Sequence, residues 1–71
     1  MIDQVPRPTD RIFTATEKHR ALIRELEFRR YVYPKRVTSG QMSQREMEWE
    51  LAIFEAIARD YAKQAEQERL L

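Results

Sequence analysis

Two helix-start signals, each followed by a long stretch of helical apolar spacing, most strongly constrain how this chain folds. Thr14 and Ser43 each stand three residues ahead of a glutamate. In such a capping box the hydroxyl accepts the backbone amide of the glutamate, and the glutamate carboxylate accepts the amide of the hydroxyl residue. The sequence contains a single glycine, which argues against several β-hairpins. The pattern therefore predicts two helices and an all-α fold.

The first predicted helix spans about residues 14–33. Pro34 removes a backbone donor and its ring crowds the carbonyl of Arg30, so the helix is predicted to end or kink there, or to add one short turn. Gly40 is predicted to close that turn in the left-handed conformation. An earlier start at Thr9 or Asp10 is the alternative, because Ile12 continues the apolar stripe. Seven side chains are predicted to share one face: Ile12, Ala15, His19, Leu22, Ile23, Leu26 and Tyr33.

The second predicted helix spans about residues 44–68, and its apolar stripe is wider than one antiparallel neighbour covers. The stripe consists of Met47, Leu51, Phe54, Ala58, Tyr61 and Ala65, widened by Ile53 and Ile57. We therefore predict an antiparallel two-helix hairpin that completes a bundle by forming a homodimer. The candidate dimer contacts are Trp49, Ile53, Phe54, Ile57 and Tyr61.

The length of 71 residues predicts one small domain. Residues 11–71 are predicted to form the hairpin, and residues 1–10 a flexible proline-containing arm, either a frayed terminus or a docking arm. The chain has no cysteine, and its single histidine, His19, is more typical of a packed side chain than of a metal ligand, so neither metal nor cofactor is expected. Without a signal peptide or an apolar run that could span a membrane, a cytoplasmic protein is expected.

The charges are distributed unevenly along the chain. Residues 29–45 contain five bases and no acid, whereas residues 46–71 contain seven acids and three bases. Opposite charges on the two halves of a hairpin attract each other. We predict that Arg29 or Arg30 pairs with Glu46 or Glu50. Glu50 falls within the apolar sector of the second helix, where it either needs such a partner or lies at the edge and reaches water.

A basic cluster near the predicted turn is the main candidate for contact with an external partner. Its candidate contact residues are Tyr31, Lys35, Arg36 and Arg45. Lysine and arginine neutralise phosphates, and tyrosine stacks on bases, so nucleic acid is one possible ligand and an acidic protein is another. The other interpretation is a solvated turn whose arginines pair within the chain.

Catalytic chemistry is not predicted. Glu46, Glu48 and Glu50 alternate along a helix and therefore do not share a face on which they would act as an acid–base pair. The chain also lacks a glycine-rich phosphate loop. We expect a non-enzymatic interaction protein that self-associates, the alternative being a nucleic-acid-binding accessory protein.

Residues 25–62 resemble a family of small proteins encoded by phages and prophages. The resemblance rests on the pattern Arg29-Arg30-x-Val32-Tyr33-Pro34-x-x-Val37-x-x-Gly40-x-Met42, followed by Phe54-Glu55-Ala56-Ile57. It implies a phage-related origin and not an activity. We expect the interaction protein to bind or modulate a host or phage macromolecule. The segment from Gly40 to Glu46 is also similar to the turn of short helical-hairpin oligomerisation modules.

Overall fold

A computed structural model describes residues 11–70, which form an antiparallel hairpin of two helices. Helix α1 spans Ala15–Thr38 and helix α2 spans Gln44–Leu70. The prediction of an all-α helical hairpin is thereby confirmed. The predicted arm, residues 1–10, lies outside the described residues.

The first capping box forms as predicted. The amide of Glu17 donates to Thr14 Oγ1 at 3.0 Å, and the amide of Thr14 donates to Glu17 Oε1 at 3.0 Å. Because α1 begins only at Ala15, Ile12 precedes the helix and is 94% exposed. Its predicted place on the apolar face was therefore wrong.

Pro34 lies inside α1 and does not end it. The predicted additional turn after Pro34 is present, but it continues the same helix to Thr38. The hydroxyl of Thr38 donates to the carbonyl of Pro34 at 3.1 Å. Tyr33, directly before the proline, is only 5% exposed against the rest of the hairpin. Such packing opposes the roughly 3 kcal/mol that a proline costs inside a helix.

The connection between the helices begins with a Schellman motif. The amide of Gly40 donates to the carbonyl of Val37 at 3.1 Å, and the amide of Gln41 donates to the carbonyl of Arg36 at 2.9 Å. Gly40 has φ 81°, the left-handed conformation that this motif requires. The prediction for Gly40 is confirmed.

Helix α2 begins with the second predicted capping box. The amide of Glu46 donates to Ser43 Oγ at 3.0 Å, and the amide of Ser43 donates to Glu46 Oε1 at 3.3 Å. One carboxylate oxygen of Glu46 is therefore occupied at the start of its own helix.

The open end of the hairpin is joined by a carboxylate from the last turn of α2. Glu68 accepts the amide of Ala15 at 2.6 Å, and the amide and hydroxyl of Thr16 at 3.0 and 2.9 Å. Two amides that α1 leaves without helical acceptors are thereby satisfied. These hydrogen bonds, strongest among them the one from Ala15, hold the pKa of Glu68 below its ordinary value.

The core between the two helices is thin. Within residues 11–70 the buried apolar side chains are Ala15, Leu26, Tyr33, Ala58 and Ala65. Three of these five are alanines, so the hairpin buries little large apolar surface by itself. Neither helix has the long, uncharged apolar run that crossing a membrane requires.

Candidate interaction surface

Contacts along the hairpin define which residues of the two helices lie at the same level. Glu68 caps the amide of Ala15 near one end, and Arg30 pairs with Glu55 toward the other. When a residue of α1 and a residue of α2 lie at the same level along the hairpin, their residue numbers therefore add up to about 84. This register allows the two sides of the hairpin to be compared.

Arg30 pairs with Glu55 at 2.8 Å, and not with the predicted Glu46 or Glu50. The prediction assumed that helix α1 ends near Pro34. Because α1 continues as one helix to Thr38, its end lies about five residues beyond the predicted residue 33. The residue of α2 opposite Arg30 shifts by the same amount, from Glu50 to Glu55.

The guanidinium of Arg29 is occupied by contacts within the hairpin. Its guanidinium stacks on the ring of Phe54, with 4.1 Å to the centroid, donates to Glu25 at 2.9 Å and also donates to the hydroxyl of Tyr33. Partial burial opposes the charged form. The hydrogen bond to Tyr33 and the charge of Glu25 outweigh it, so the pKa of Arg29 lies above its ordinary value.

Glu50 is half-buried on α2, and no cation of residues 11–70 lies within ion-pair distance of it. The predicted internal pair with Arg29 or Arg30 is therefore wrong for Glu50. The same register change accounts for it, because Glu50 now lies level with Pro34 and on the side of the hairpin away from Arg30.

The side of the hairpin away from the Arg30–Glu55 pair carries an apolar surface, which we call the apolar flank. Helical spacing places Val32 of α1 and Ile53 and Ile57 of α2 on this side, with Phe28 and Trp49 at its outer edge, about 150° around each helix from the core. Phe28 is 57% exposed, Trp49 is 69% exposed and Ile53 is 42% exposed. Large apolar side chains on one contiguous surface are typical of a contact site.

The predicted dimer contacts divide between the flank and the hairpin interior. Trp49, Ile53 and Ile57 lie on the apolar flank. Phe54 lies under the Arg29 guanidinium, and Tyr61 is partly buried on the stripe that faces α1. Contact of any of them with a second copy stays a prediction. Phe28 was missed, although its distance from the core face of α1 and its size were visible in the sequence.

The opposite side of the hairpin holds a shallow groove of about 450 Å³. Ile23, Leu26 and His19 line it from α1, and Ala58 lines it from α2, beside the Arg30–Glu55 pair. His19 is half-buried there. Within residues 11–70 no three histidine or acidic side chains lie close enough together to hold a metal ion.

The candidate partner residues of the basic cluster do not form one compact site. Lys35 donates to the hydroxyl of Tyr31 at 2.6 Å and lies 3.8 Å from the centre of its ring. Both project from the outer face of α1. The guanidinium of Arg36 lies 5.8 Å from the centre of the Tyr33 ring, and its helical position is on the side of the apolar flank, whereas Arg45 lies on the outer face of α2. All four are exposed.

Searches against protein-family models, curated proteins and solved structures found no match for this chain.

Proposed function

We propose that this chain is a non-enzymatic interaction protein that associates with itself through the apolar flank. The observation that carries the proposal is the contrast between a thin core and an exposed flank. Within residues 11–70 the hairpin buries three alanines beside Leu26 and Tyr33, whereas Phe28 and Trp49 remain more than half exposed. A chain of this size gains stability when a second chain covers such a surface.

The residue types of the apolar flank suit a protein–protein contact. Tryptophan is enriched among the residues that contribute most to binding energy, and aromatic residues are enriched at interfaces generally. Two hairpins joined through this surface would form a four-helix bundle, the usual arrangement for antiparallel helices of this length. The bundle would in turn present its outer faces to a further macromolecule.

Light scattering behind a sizing column tests self-association. We expect a dimeric mass at tens of micromolar, and at least about tenfold weaker association after Trp49→Ala or Phe28→Ala. Both side chains are mainly exposed, so far-UV circular dichroism should retain its helical signal. Tyr31→Ala is the matched control, because Tyr31 is 65% exposed but lies on the outer face of α1. A monomeric mass for the unsubstituted protein would refute the proposal.

Nucleic-acid binding is the second candidate function, and the exposed cations near the turn favour it. Lys35, Arg36 and Arg45 have no acidic partner within residues 11–70. Such cations are available to neutralise phosphates, and Tyr31 beside Lys35 offers a stacking surface. Affinity for single-stranded oligonucleotides should then fall steeply with salt and after Lys35→Glu. Binding that is insensitive to both would exclude this function.

The resemblance to small phage and prophage proteins suggests a host or phage macromolecule as the further partner, in a cytoplasmic setting. The neighbourhood of the gene tests this origin. Location among phage genes would support it, and location in a conserved housekeeping operon would contradict it.

A further inference from the structure

Arg36 and Glu50 lie beside the apolar flank near the connection, and neither has an ion-pair partner within residues 11–70. Arg36 is exposed on α1, and Glu50 is half-buried on α2. Helical positions place both on the flank side of the hairpin, toward the connection. On the other side of the hairpin the corresponding cross-helix pair, Arg30 and Glu55, is formed at 2.8 Å. Leaving Glu50 unpaired costs more free energy than leaving Arg36 unpaired, because the carboxylate of Glu50 is half-buried.

Two hairpins can stack their apolar flanks by a two-fold axis in either of two directions. An axis perpendicular to the helices places α1 on α1 and α2 on α2. An axis parallel to the helices places each α1 on the α2 of the other copy. Helix α1 contains seven bases and three acids, whereas α2 contains four bases and seven acids. Charge complementarity therefore favours the parallel axis.

The parallel axis also preserves the level of each residue along the bundle. Within its own chain, Arg36 lies level with about residue 48 of α2. In the dimer it therefore also lies level with about residue 48 of the other copy. Glu50 of the other copy lies two residues, or about 3 Å along the helix, from that level, and the long side chain of Arg36 can reach its carboxylate. Phe28 and Val32 would then lie against Ile53 and Ile57 of the other copy.

The size of the surface agrees with a stable dimer. Helix α2 has 27 residues and is therefore about 40 Å long. Two adjacent helices are about 20 Å wide, so the whole side of the hairpin offers about 800 Å², of which the apolar flank occupies the part nearer the connection. A standard protein–protein interface buries about that much surface on each partner.

We infer that the partner of the apolar flank is a second copy of this chain, related by a two-fold axis parallel to the helices, with Arg36 paired to the partner's Glu50. This inference rests on the proposed self-association and adds the orientation and register of the dimer. The two symmetry-related ion pairs select this arrangement over the alternative stacking of like-charged helices.

Mixing two charge-reversed variants tests the pairing between copies. Arg36→Glu places two acids together in a homodimer, and Glu50→Arg places two bases together. Each variant alone should dimerise at least about tenfold more weakly than the unsubstituted protein at low salt. In an equal mixture both pairs of the heterodimer are complementary, so native mass spectrometry should show the heterodimer in excess over both homodimers.

Lys63→Glu is the matched charge reversal on the solvent face of α2, and it should leave dimerisation unchanged. Dimers of either single variant as tight as the unsubstituted dimer would overturn the Arg36–Glu50 pairing. Two weakened variants without preferred heterodimer formation would instead assign the pair to a single chain and also overturn the inference. Neither of these outcomes contradicts the proposed self-association itself. A monomeric mass for the unsubstituted protein would contradict it.

Cross-linking checks the orientation independently of charge. The chain has no cysteine, so single cysteines report on chosen positions. Ala21 of α1 lies level with about residue 63 of α2, and Gln64 is on the same flank. If the two-fold axis is parallel to the helices, a mixture of the Ala21→Cys and Gln64→Cys proteins should form mainly the mixed disulfide between the two variants. A mixed disulfide no more abundant than random pairing of the two proteins gives would overturn that orientation.

Discussion

The two ends of the hairpin are stabilised in different ways. At the connection, Gly40 and the Ser43 capping box act through residues that are neighbours in the sequence. At the open end, Thr14 has a similar capping box, but Glu68 of α2 also reaches the first amides of α1 across 53 residues. The comparison teaches that one end is encoded locally, whereas the other depends on the lengths of both helices.

Substitution at the connection is expected to have the largest effect. Gly40→Ala should lower the free energy of unfolding by about 1–2 kcal/mol, because an L-residue in the left-handed conformation is strained. A Cβ at Gly40 would meet no atom within 4 Å, so the cost is confined to the backbone. Urea denaturation followed by circular dichroism measures it. Gly40→Asn should lose less, and equal stability of all three proteins would contradict the role of this conformation.

Removal of each helix cap compares the ends directly. Ser43→Ala and Thr14→Ala should each cost about 1 kcal/mol in urea denaturation, since each removes the acceptor for one N-terminal amide. Ser39→Ala provides the control, because its hydroxyl donates only to the carbonyl of Arg36 in the connection. A loss at Ser39 as large as at Ser43 would show that the measured cost is not capping.

The register between the ends is sharpened by a double-mutant cycle on Arg30 and Glu55. Both side chains are about half exposed, so the coupling energy should be between about 0.2 and 1 kcal/mol. The cycle uses Arg30→Met and Glu55→Gln, measured by thermal unfolding at low and high salt. Arg30→Met with Glu50→Gln is the control cycle, which should show no coupling. Coupling to Glu50 in place of Glu55 would contradict the register.

Acid titration isolates the contact at the open end and should show the smallest effect. The lowered pKa of Glu68 means that its ionised form stabilises the fold above the ordinary value of 4.5. That contribution disappears as the pH falls through the lowered pKa. The stability difference between the unsubstituted protein and Glu68→Gln should therefore shrink on acidification, as measured by urea denaturation. Glu66→Gln serves as the control, and a constant difference for Glu68→Gln across the titration would exclude this role.

Local signals accounted for much of the fold. The capping boxes at Thr14 and Ser43 and the left-handed Gly40 were predicted and are present, because each depends on bonds between residues a few positions apart. Glu68 was missed. Its target amides are far away in the sequence, and no local pattern distinguishes it from other solvent-facing glutamates of α2.

The candidate surface was predictable only in part. Trp49 and Ile53 were recognised as surplus apolar residues of α2, and both are exposed. Phe28 completes the same flank from α1, but its relation to them requires the register of the hairpin. The choice of Glu55 over Glu50 as the partner of Arg30 has the same origin.

The sequence alone determined that two helices form, where each begins and where the chain reverses. These features follow from backbone hydrogen bonds that neighbouring side chains complete. The tertiary structure decided how far α1 continues beyond Pro34, because packing of Tyr33 against α2 competes there with the local cost of proline. That end point sets the register, and the register decides which charges pair across the helices and which apolar residues share the exposed flank.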